Sequence, residues 1–371
     1  MHISRTVFLC ALISAIIVQH DIILPSTVGA ATASDPTGTG GGPTISSPTP
    51  VKLGKIPPSA EIVFHQDGYI YTMDRNGQNV AQITFKKVEY AWEHASVSPD
   101  RRFIAANEPL PRSTGGRPGI WCRVWLFDLE KGTKAQLLPQ WVMVGNGGVD
   151  WDHNGFIYFA AKEKFVVSNP KTLSDMLAEA GAHDAYKIKF DGTGLTRLTN
   201  TPDRAEADVS VSEDGTLVAG VSQVVGLDDS TRDLMEIWVI NTDGSNPRVV
   251  YRGGKVGISS VHDPKFSSDN SKVTFSMVNS NVPANFRAIS GANTAHDICS
   301  INVNGTGFTR LTKPGPISII PSWQKNQIVY FEANEKDKYI GAAVVNDNGS
   351  DQTSRRIRAG ANSPKWITPM K

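Results

Sequence analysis

Apolar and polar residues alternate along this chain in short segments, and each segment runs into a turn rich in Gly, Asp and Asn. Two of these segments, residues 183–199 and 296–312, align without a gap, and residues 236–250 keep the same pattern. Alternation with a period of two indicates a strand with one buried face, and the turn glycine supplies the positive φ that a tight hairpin requires. Each segment is therefore predicted to be a β-hairpin. Looser copies span residues 71–77, 125–132 and 344–349.

A second recurring pair of strands lies between these hairpins. Its copies span residues 96–106, 149–159, 210–220, 264–275 and 321–331. Together with a hairpin, each pair predicts a unit of four antiparallel strands, named A to D in chain order. The turn glycines recur at intervals that suit propeller blades with loops of variable length. These glycines are Gly77, Gly132, Gly192, Gly244, Gly305 and Gly349.

The repeated unit resembles that of TolB-like β-propellers, which is also known as a WD40-like or PD40 repeat. The resemblance rests on Ser96-Val-Ser-Pro-Asp100 in an A–B turn, on Ile237-Trp-Val-Ile-Asn-Thr-Asp-Gly244 in a hairpin, and on Arg310-Leu-Thr312 at a hairpin end. It extends over residues 61–371 and implies an all-β propeller. In TolB-type proteins an α/β domain precedes the propeller, whereas residues 34–58 lack the composition to form one. The resemblance therefore concerns the propeller domain only.

Counting strands predicts a six-bladed β-propeller with four-stranded antiparallel blades. The first five blades span residues 95–139, 148–199, 207–252, 261–312 and 319–360. The sixth joins the two ends of the chain, because one inner strand remains at residues 362–367 and three strands remain within residues 61–84. Pairing of the N-terminal strands with the C-terminal strand closes the ring and removes its open sheet edges. A seventh blade within residues 164–184 is an alternative, although residues 172–180 favour a short capped helix.

The N-terminal region is predicted to direct export. Residues 7–18 form an uncharged apolar run that follows a basic residue, and small residues suited to signal peptidase occupy positions 28–33. The run is shorter than the roughly 20 residues that span a bilayer, so residues 1–33 are predicted to be a cleaved signal peptide rather than a membrane anchor. Residues 34–59, rich in Thr, Gly, Pro and Ser, are expected to be a disordered linker. The folded propeller is expected over residues 60–371, in the periplasm or outside the cell.

Composition excludes several classes of protein. The chain has 371 residues, of which 40% are hydrophobic, so it can form a sizeable core and is not wholly disordered. Lys and Arg number 37 against 36 for Asp and Glu, so no basic excess is present to bind nucleic acid. Only 3 Cys are present. Cys122 and Cys299 fall on opposite sides of a six-bladed ring, too far apart for a disulfide.

Long B–C loops lie on one face of the predicted propeller, which we call the insertion face. They occur in the first four blades, at residues 109–123, 164–184, 224–235 and 280–296. Loops on a rigid scaffold commonly carry recognition. The insertion face is therefore the candidate binding surface.

Aromatic and basic residues cluster in the loops of this face, on or beside the first blade. Tryptophan is enriched among residues that anchor interfaces, and arginine could pair with acidic groups of a partner. The alternatives are Trp side chains wedged between blades and Arg side chains that are merely solvated. The interface candidates are Trp92, Trp121, Trp141, Arg112, Arg117 and Arg123.

The first residues of the A strands are expected to line a central tunnel. Imidazole and carboxylate groups there could hold a divalent metal such as Ca²⁺, or supply a general base. The related oligogalacturonate lyases resemble this arrangement, with a metal held by histidines over the tunnel. The remaining tunnel positions are Gly148, Ile320 and Ser363, so no set of three histidines forms. The candidate metal ligands are His94, Asp208, His262 and Asp263.

The sequence leaves two functions open. The first is an exported non-catalytic β-propeller that binds other exported proteins, as a subunit of a complex, through the insertion face. The chain has no nucleophile elbow, Walker loop or His-Glu-x-x-His motif, which favours this function. No nucleic acid partner and no membrane span are expected. The alternative is a metal-dependent lyase or hydrolase that acts on a carbohydrate or small ligand at the tunnel mouth, and a calcium ion with a purely structural role is a third possibility.

Overall fold

A computed structural model describes most of the chain outside its N-terminal region. The residues described are 44–85, 93–109, 121–139, 142–144, 148–162, 183–224, 235–253, 258–283, 294–334, 336–348 and 354–368. Within these ranges the chain forms strands, bridges and turns but no helix. No membrane-spanning helix is found in the same ranges. The expected signal peptide and the expected helix at 172–180 lie outside the described residues.

Short strands make up the described fold. In chain order the first thirteen are β1 (Thr49–Pro50), β2 (Ile62–Gln66), β3 (Tyr69–Met73), β4 (Ala81–Gln82), β5 (Glu93–Val97), β6 (Phe103–Pro109), β7 (Trp121–Asp128), β8 (Thr133–Leu137), β9 (Val142–Val144), β10 (Asp150–Trp151), β11 (Phe156–Lys162), β12 (Asp184–Lys189) and β13 (Thr196–Arg197). The others are β14 (Arg204–Val211), β15 (Leu217–Val224), β16 (Glu236–Asn241), β17 (Arg248–Arg252), β18 (Ile258–Phe266), β19 (Lys272–Pro283), β20 (Thr294–Asn302), β21 (Thr309–Arg310), β22 (Ile317–Gln324), β23 (Gln327–Asn334), β24 (Tyr339–Asn346), β25 (Arg355–Ala359) and β26 (Asn362–Trp366).

Hydrogen bonding groups these strands into four sheets. One sheet contains the antiparallel arrays β5–β8 and β10–β13, joined through β9, and a second is the array β14–β17. A third contains β18–β21 and β22–β25, joined by a parallel contact between β20 and β22, and the fourth has the order β26-β2-β3-β4. The all-β propeller architecture is confirmed. The count of six blades stays a prediction, because the pairings merge arrays into shared sheets.

The two ends of the chain close the ring. C-terminal β26 pairs antiparallel with N-terminal β2, in the register Ile62↔Trp366 and Val63↔Lys365. The inner strands also contact one another in succession: β5, β10, β14, β18, β22, β26 and again β5. Ile62 and Val63 are fully buried, so the closing pair forms part of the core. The predicted pairing of N-terminal strands with the C-terminal strand is confirmed.

Each inner strand carries a left-handed residue at the same point. The register with the neighbouring strand shifts at these positions in β5, β14, β18, β22 and β26. Such β-bulges redirect the strand and its side chains. For residues other than glycine the left-handed conformation costs roughly 1–2 kcal/mol each, so the surrounding ring must hold them in place. The six residues are His94 (φ 47°), Gly148 (72°), Asp208 (53°), Asp263 (56°), Ile320 (58°) and Ser363 (42°).

Repeated polar motifs hold the ends of the hairpins together. Asp184 at the start of β12 pairs with Arg197 in β13, and Asp297 Oδ2 lies 3.1 Å from Arg310 Nε in the equivalent hairpin. Thr199 Oγ1 accepts a hydrogen bond of 2.9 Å from the backbone of β12. The recurring His-Asp and Arg-Leu-Thr motifs are therefore explained by the fold.

The A–B turns recur for a similar reason. Ser212 Oγ donates to Asp214 Oδ1 at 2.7 Å and accepts from the backbone N–H of Leu217 at 2.9 Å. The same Ser-x-Asp arrangement occurs at Ser98 and at Ser267. Local side-chain bonds of this kind specify turns and compete with regular structure. They explain why the turn sequence repeats from one array to the next.

The segment before the first predicted strand packs against the propeller. β1 pairs with β8 in the register Thr49↔Lys134, and Ile45 and Leu53 form bridges to Leu137 and Thr84. These contacts cover the outer edges of two arrays, where open backbone groups would otherwise invite association. The expectation of a disordered linker over residues 34–59 is wrong for residues 44–59, because a few apolar residues and an unpaired sheet edge suffice to fix this segment.

Removal of this segment is expected to destabilise the propeller. A chain that begins at residue 60 loses the partly buried side chains of Ile45, Val51, Leu53 and Ile56 from the core. At about 1 kcal/mol for each partly buried apolar side chain, the free energy of unfolding should fall by roughly 2–4 kcal/mol in denaturant titrations. A chain that begins at residue 44 is the control and should match the longer protein. Equal stability of the two truncated chains would show that the segment contributes nothing.

Candidate functional site

On the insertion face, a short strand pairs with two strand arrays and joins them into one sheet. β9 pairs with the first two residues of β7 and with the last two residues of β11. Met143 in β9 is in register with both Cys122 and Ala161. Sequence reasoning missed this three-residue strand, because the repeated unit of four strands does not include one at this position. We define the insertion-face platform as residues 107–109, 121–123, 142–144 and 160–162.

The interface candidates are only partly within the described residues. Trp121 is the first residue of β7, in register with Val144, so its placement in a loop was wrong. Arg123 is exposed and in register with Glu108. The candidates outside the described residues are Trp92, Trp141, Arg112 and Arg117.

Two of the four B–C insertions, those predicted at residues 109–123 and 280–296, are shorter than the sequence indicated. Strands β6 and β7 reach Pro109 and Trp121, and β19 and β20 reach Pro283 and Thr294. The strands therefore project further toward the insertion face than expected. The remainder of these insertions lies outside the described residues.

Side-chain contacts hold the base of the platform. Glu108 Oε2 accepts a hydrogen bond of 2.6 Å from Trp125 Nε1. Lys134 Nζ lies 3.9 Å from the centre of the Trp125 ring, within the range of a cation–π contact. These contacts join β6, β7 and β8 two residues along β7 from exposed Arg123.

Three of the four predicted metal ligands meet at the tunnel mouth. Asp208 Oδ2 accepts a hydrogen bond of 3.1 Å from the backbone N–H of Asp263 and lies 3.7 Å from His262 Nδ1. Asp263 Oδ2 accepts a bond of 3.1 Å from Ser276 Oγ, which in turn accepts from the backbone N–H of Ile320 at 3.0 Å. Asp208, His262 and Asp263 are all more than 90% buried. The strand bulges bring these groups together from different inner strands.

Burial sets the protonation of the tunnel mouth. It raises the pKa of Asp263 to about 7, and the Asp208 carboxylate adds to this effect. Burial lowers the pKa of His94 to about 4, against an opposing effect of Asp208. It also lowers the pKa of His65 to about 3, together with repulsion from His94. Both histidines are therefore neutral at physiological pH, and Asp263 is partly protonated.

The described tunnel residues do not fit a divalent metal. Asp208 Oδ1 and His262 Nε2 have no hydrogen-bond partner, which leaves two open donor atoms. Catalytic zinc sites use three protein ligands and calcium sites use more. Within the described ranges, no group of three or more His, Cys, Asp or Glu side chains is placed to hold a metal. Within the set His94, Asp208, His262 and Asp263, Asp208 contacts His262 and the backbone of Asp263, and Asp263 is bonded to Ser276.

A second polar layer lies deeper in the tunnel and was missed by sequence reasoning. Asp150 accepts hydrogen bonds from Lys365 Nζ at 2.7 Å and from Lys265 Nζ at 3.3 Å. Lys365 Nζ also donates to Ser96 Oγ at 3.0 Å, and burial lowers its pKa to about 8 despite Asp150. The members of this layer stand two positions after a left-handed tunnel residue, on the same side of the strand. This constant spacing in the sequence could have identified them. They are Ser96, Asp150, Ser210, Lys265, Ser322 and Lys365.

Loss of the Asp150 charge is expected to destabilise the whole ring. Asp150→Asn leaves two buried ammonium groups without their counter-ion, a type of change that costs about 3–5 kcal/mol. Equilibrium unfolding in urea would measure this loss. Asp203→Asn, at an exposed carboxylate, is the control and should stay within about 0.5 kcal/mol of the parent. A loss below about 1 kcal/mol in Asp150→Asn would contradict a structural role for the layer.

Acid should destabilise the protein partly through His65. Its nitrogens have no hydrogen-bond partner, and its pKa of about 3 is below the ordinary 6.5. The unfolded chain therefore takes up a proton before the folded one does, and stability falls as pH drops below 6.5. At about 1.4 kcal/mol per pH unit, this contribution amounts to roughly 2 kcal/mol at pH 5. Between pH 6.5 and pH 5, the free energy of unfolding of His65→Met should fall less than that of the parent, by that amount. Above pH 7 it should change with pH equally in the two proteins. An equal change of the free energy of unfolding below pH 6.5 would refute the assignment to His65.

Both described cysteines are thiols, as the sequence indicated. Cys122 lies in β7 and Cys299 in β20, and both are buried. Burial raises the pKa of the Cys299 thiol far above its ordinary value, an effect that the nearby Asp297 carboxylate increases. This thiol is therefore packed and unreactive rather than a candidate nucleophile.

Comparison with known proteins identifies the fold. No protein-family model matches the chain, and no curated protein matches it in sequence. TolB from Acinetobacter baumannii is similar with a TM-score of 0.54 and 14% identity, over 83% of this chain and 67% of that chain. A nidogen/laminin complex matches with a TM-score of 0.53 and 12% identity (84% and 99% covered), and an oligogalacturonate lyase in complex with manganese with 0.50 and 15% (85% and 86%). At these identities the likeness concerns the fold alone. The protein is a β-propeller whose structural neighbours are TolB-like propellers.

Proposed function

We propose that this protein is an exported, non-catalytic β-propeller that binds other exported proteins, as a subunit of a complex, through its insertion face. The observation that carries this proposal is the insertion-face platform. Strands β7, β9 and β11 pair there beyond the repeated four-stranded arrays, and within the described residues no other array carries a strand equivalent to β9. An added strand on one face is available for recognition, because closure of the ring depends on other strands.

The side-chain contacts in the tunnel favour a binding function over a catalytic one. Two of the tunnel carboxylates are engaged with neighbouring side chains: Asp150 pairs with two lysines, and Asp263 accepts a hydrogen bond from Ser276. The alternative, a metal-dependent lyase or hydrolase, requires more ligands than the described tunnel mouth offers. The structural neighbours include both TolB and a manganese-bound lyase, so the fold by itself favours neither.

The interface residues belong to this proposal. Exposed Arg123 on the platform is the described candidate for pairing with an acidic group of the partner. We place the tryptophan candidates Trp92, Trp121 and Trp141 in the same interface, together with Arg112 and Arg117. A nidogen/laminin complex among the structural neighbours shows that a propeller of this shape occurs in a protein assembly.

Two further features complete the proposal. We count six blades, because the first and third sheets each contain two four-stranded arrays and the other two sheets contain one each. We place the mature protein in the periplasm or outside the cell, after cleavage of residues 1–33. The apolar run at residues 7–18 supports this location.

Gentle isolation of the protein from its native host tests this function. We expect a native mass above that of the monomer, a stoichiometric companion identified by mass spectrometry, and crosslinks to the platform or to its B–C insertions. Charge reversal in Arg123→Glu should reduce recovery of the companion about tenfold, because like charges at an interface repel. Lys131→Glu is the matched control, since this exposed residue lies on the opposite rim of the same array. A monomer of mature mass would refute the proposal, as would equal loss in both variants.

A further inference from the structure

A partly open cavity lies between the β10–β13 array and the β14–β17 sheet. Its volume is about 160 Å³. This is close to the roughly 150 Å³ of a cavity known to bind benzene, so a ligand of about six non-hydrogen atoms can enter. One wall is apolar and includes Leu198, Trp238 and Ile240, while Thr201 and Glu206 lie among the polar residues. The lining contains none of the tunnel-mouth residues described above.

Glu206 presents an unused oxygen at this cavity. Its side chain lines the cavity, and the residue is only 2% exposed. Oε1 accepts a hydrogen bond of 2.9 Å from Thr201 Oγ1, whereas Oε2 has no hydrogen-bond partner. The indole Nε1 of Trp238 lies near the carboxyl group, but it too has no partner of acceptable geometry. A buried carboxylate oxygen without a partner is costly unless a ligand satisfies it.

The neighbouring acidic groups are paired with arginines. Asp184 pairs with Arg197. Glu236 Oε2 lies 2.9 Å from Arg204 Nη1, and Glu236 Oε1 lies at the same distance from an arginine at the end of β17. Among the described residues, no ion pair within 4.0 Å is formed by Glu206. The charged and titratable groups around it are His183, Asp184, Arg197, Asp203, Arg204, Glu236 and Arg252.

This carboxyl group therefore lacks one positive charge. Burial, helped by the nearby Asp184, raises its pKa to about 8, because the hydrogen bond from Thr201 and the charge of Arg204 oppose burial only in part. A cationic ligand would replace the proton and complete the pairing that the other carboxylates already have.

The repeat does not require an acid at this position. Glu206 stands two residues before the left-handed Asp208 in its inner strand. No acidic residue occupies the equivalent position in any other predicted inner strand. Those positions hold Trp92, Asn146, Val261, Ser318 and Ala361. The acid is thus a feature of this one array and not of the scaffold.

We propose that this cavity binds a primary alkylammonium group. The ammonium donates a hydrogen bond to Glu206 Oε2, and the alkyl stem lies along Trp238 and Ile240. An indole face attracts a cation, and a short alkyl chain matches an apolar wall. The ligand is either a free alkylamine or the lysine side chain of a partner. This inference does not rest on the proposed function, because it needs neither the platform nor the tunnel.

Titration with n-butylammonium at pH 8 tests the inference. Indole N–H resonances and calorimetry would be followed together, with the Trp238 resonance assigned through Trp238→Phe. We expect saturable binding at millimolar concentration or tighter, with a shift of the Trp238 signal. Neutral n-butanol, which has the same shape without the charge, should bind at least tenfold more weakly.

Two variants locate the binding. Glu206→Gln removes the charge and keeps the size, and should weaken n-butylammonium binding at least tenfold, as loss of one partner of a buried charge pair does. Glu130→Gln, at an exposed glutamate far from the cavity, is the control and should bind as the parent does. Cooperative unfolding of each variant would establish that it is folded. Binding unchanged in Glu206→Gln, no binding to the parent, or equal binding of n-butanol would each overturn the inference.

A comparison of ligands separates the two sources of the amine. Nα-acetyl-lysine N-methylamide carries the same alkylammonium on a peptide backbone. Tighter binding of this compound than of n-butylammonium supports the site as a receptor for lysine side chains. Weaker binding of the peptide compound, with n-butylammonium still bound, supports a site for free amines. Failure of both ligands overturns the inference and leaves the proposed partner interface at the platform untouched.

Discussion

The antiparallel pairing of β2 with β26 is the constraint on which the rest of this structure depends. Two five-residue strands from opposite ends of the chain join the ring, with Ile62 opposite Trp366 and Val63 opposite Lys365. Their side chains enter the core rather than lying on its surface. A closed ring leaves no gap between its first and last strand arrays, and it alone gives the inner strands a common axis. The tunnel, its polar layers and the two faces all follow from that closure.

Closure also explains why strained residues persist around the tunnel. Non-glycine residues in the left-handed region, such as Ile320 and Asp208, survive only where their surroundings fix them. Here the bulges point polar groups inward, and those groups then bind one another across the ring. Asp150 with Lys265 and Lys365 joins three inner strands that are distant in sequence. The charged centre of the tunnel thus reinforces the ring in addition to lining it.

The features that depart from the repeat are the ones that suggest recognition. β9 joins two arrays on the insertion face, and Glu206 places an unpaired carboxyl oxygen beside an apolar wall between two other arrays. Neither feature is needed to fold a propeller, because the other described arrays form without an added strand or an acid at the position of Glu206. The paired motifs of Asp184 with Arg197 and Asp297 with Arg310 are the opposite case, because they recur and stabilise each hairpin. In this chain the features that recur are therefore explained by the fold, and the features that do not recur are the candidates for function.

Most strands and turns were predictable from the sequence. They depend on residues close together in the chain, such as the alternation in β16 or the bond of Ser212 to Asp214, so a short window reveals them. Closure of the ring was predictable for a different reason, because the strands left over at the two ends of the chain complete one array. Tertiary structure alone decided the contacts between distant segments. Residues 44–59 looked like a linker until a sheet edge was present to bind them. The contact between Asp208 and the backbone of Asp263 joins two inner strands that are 55 residues apart at this point. Lys365 and Asp150 lie 215 residues apart, and only the closed ring brings them into contact.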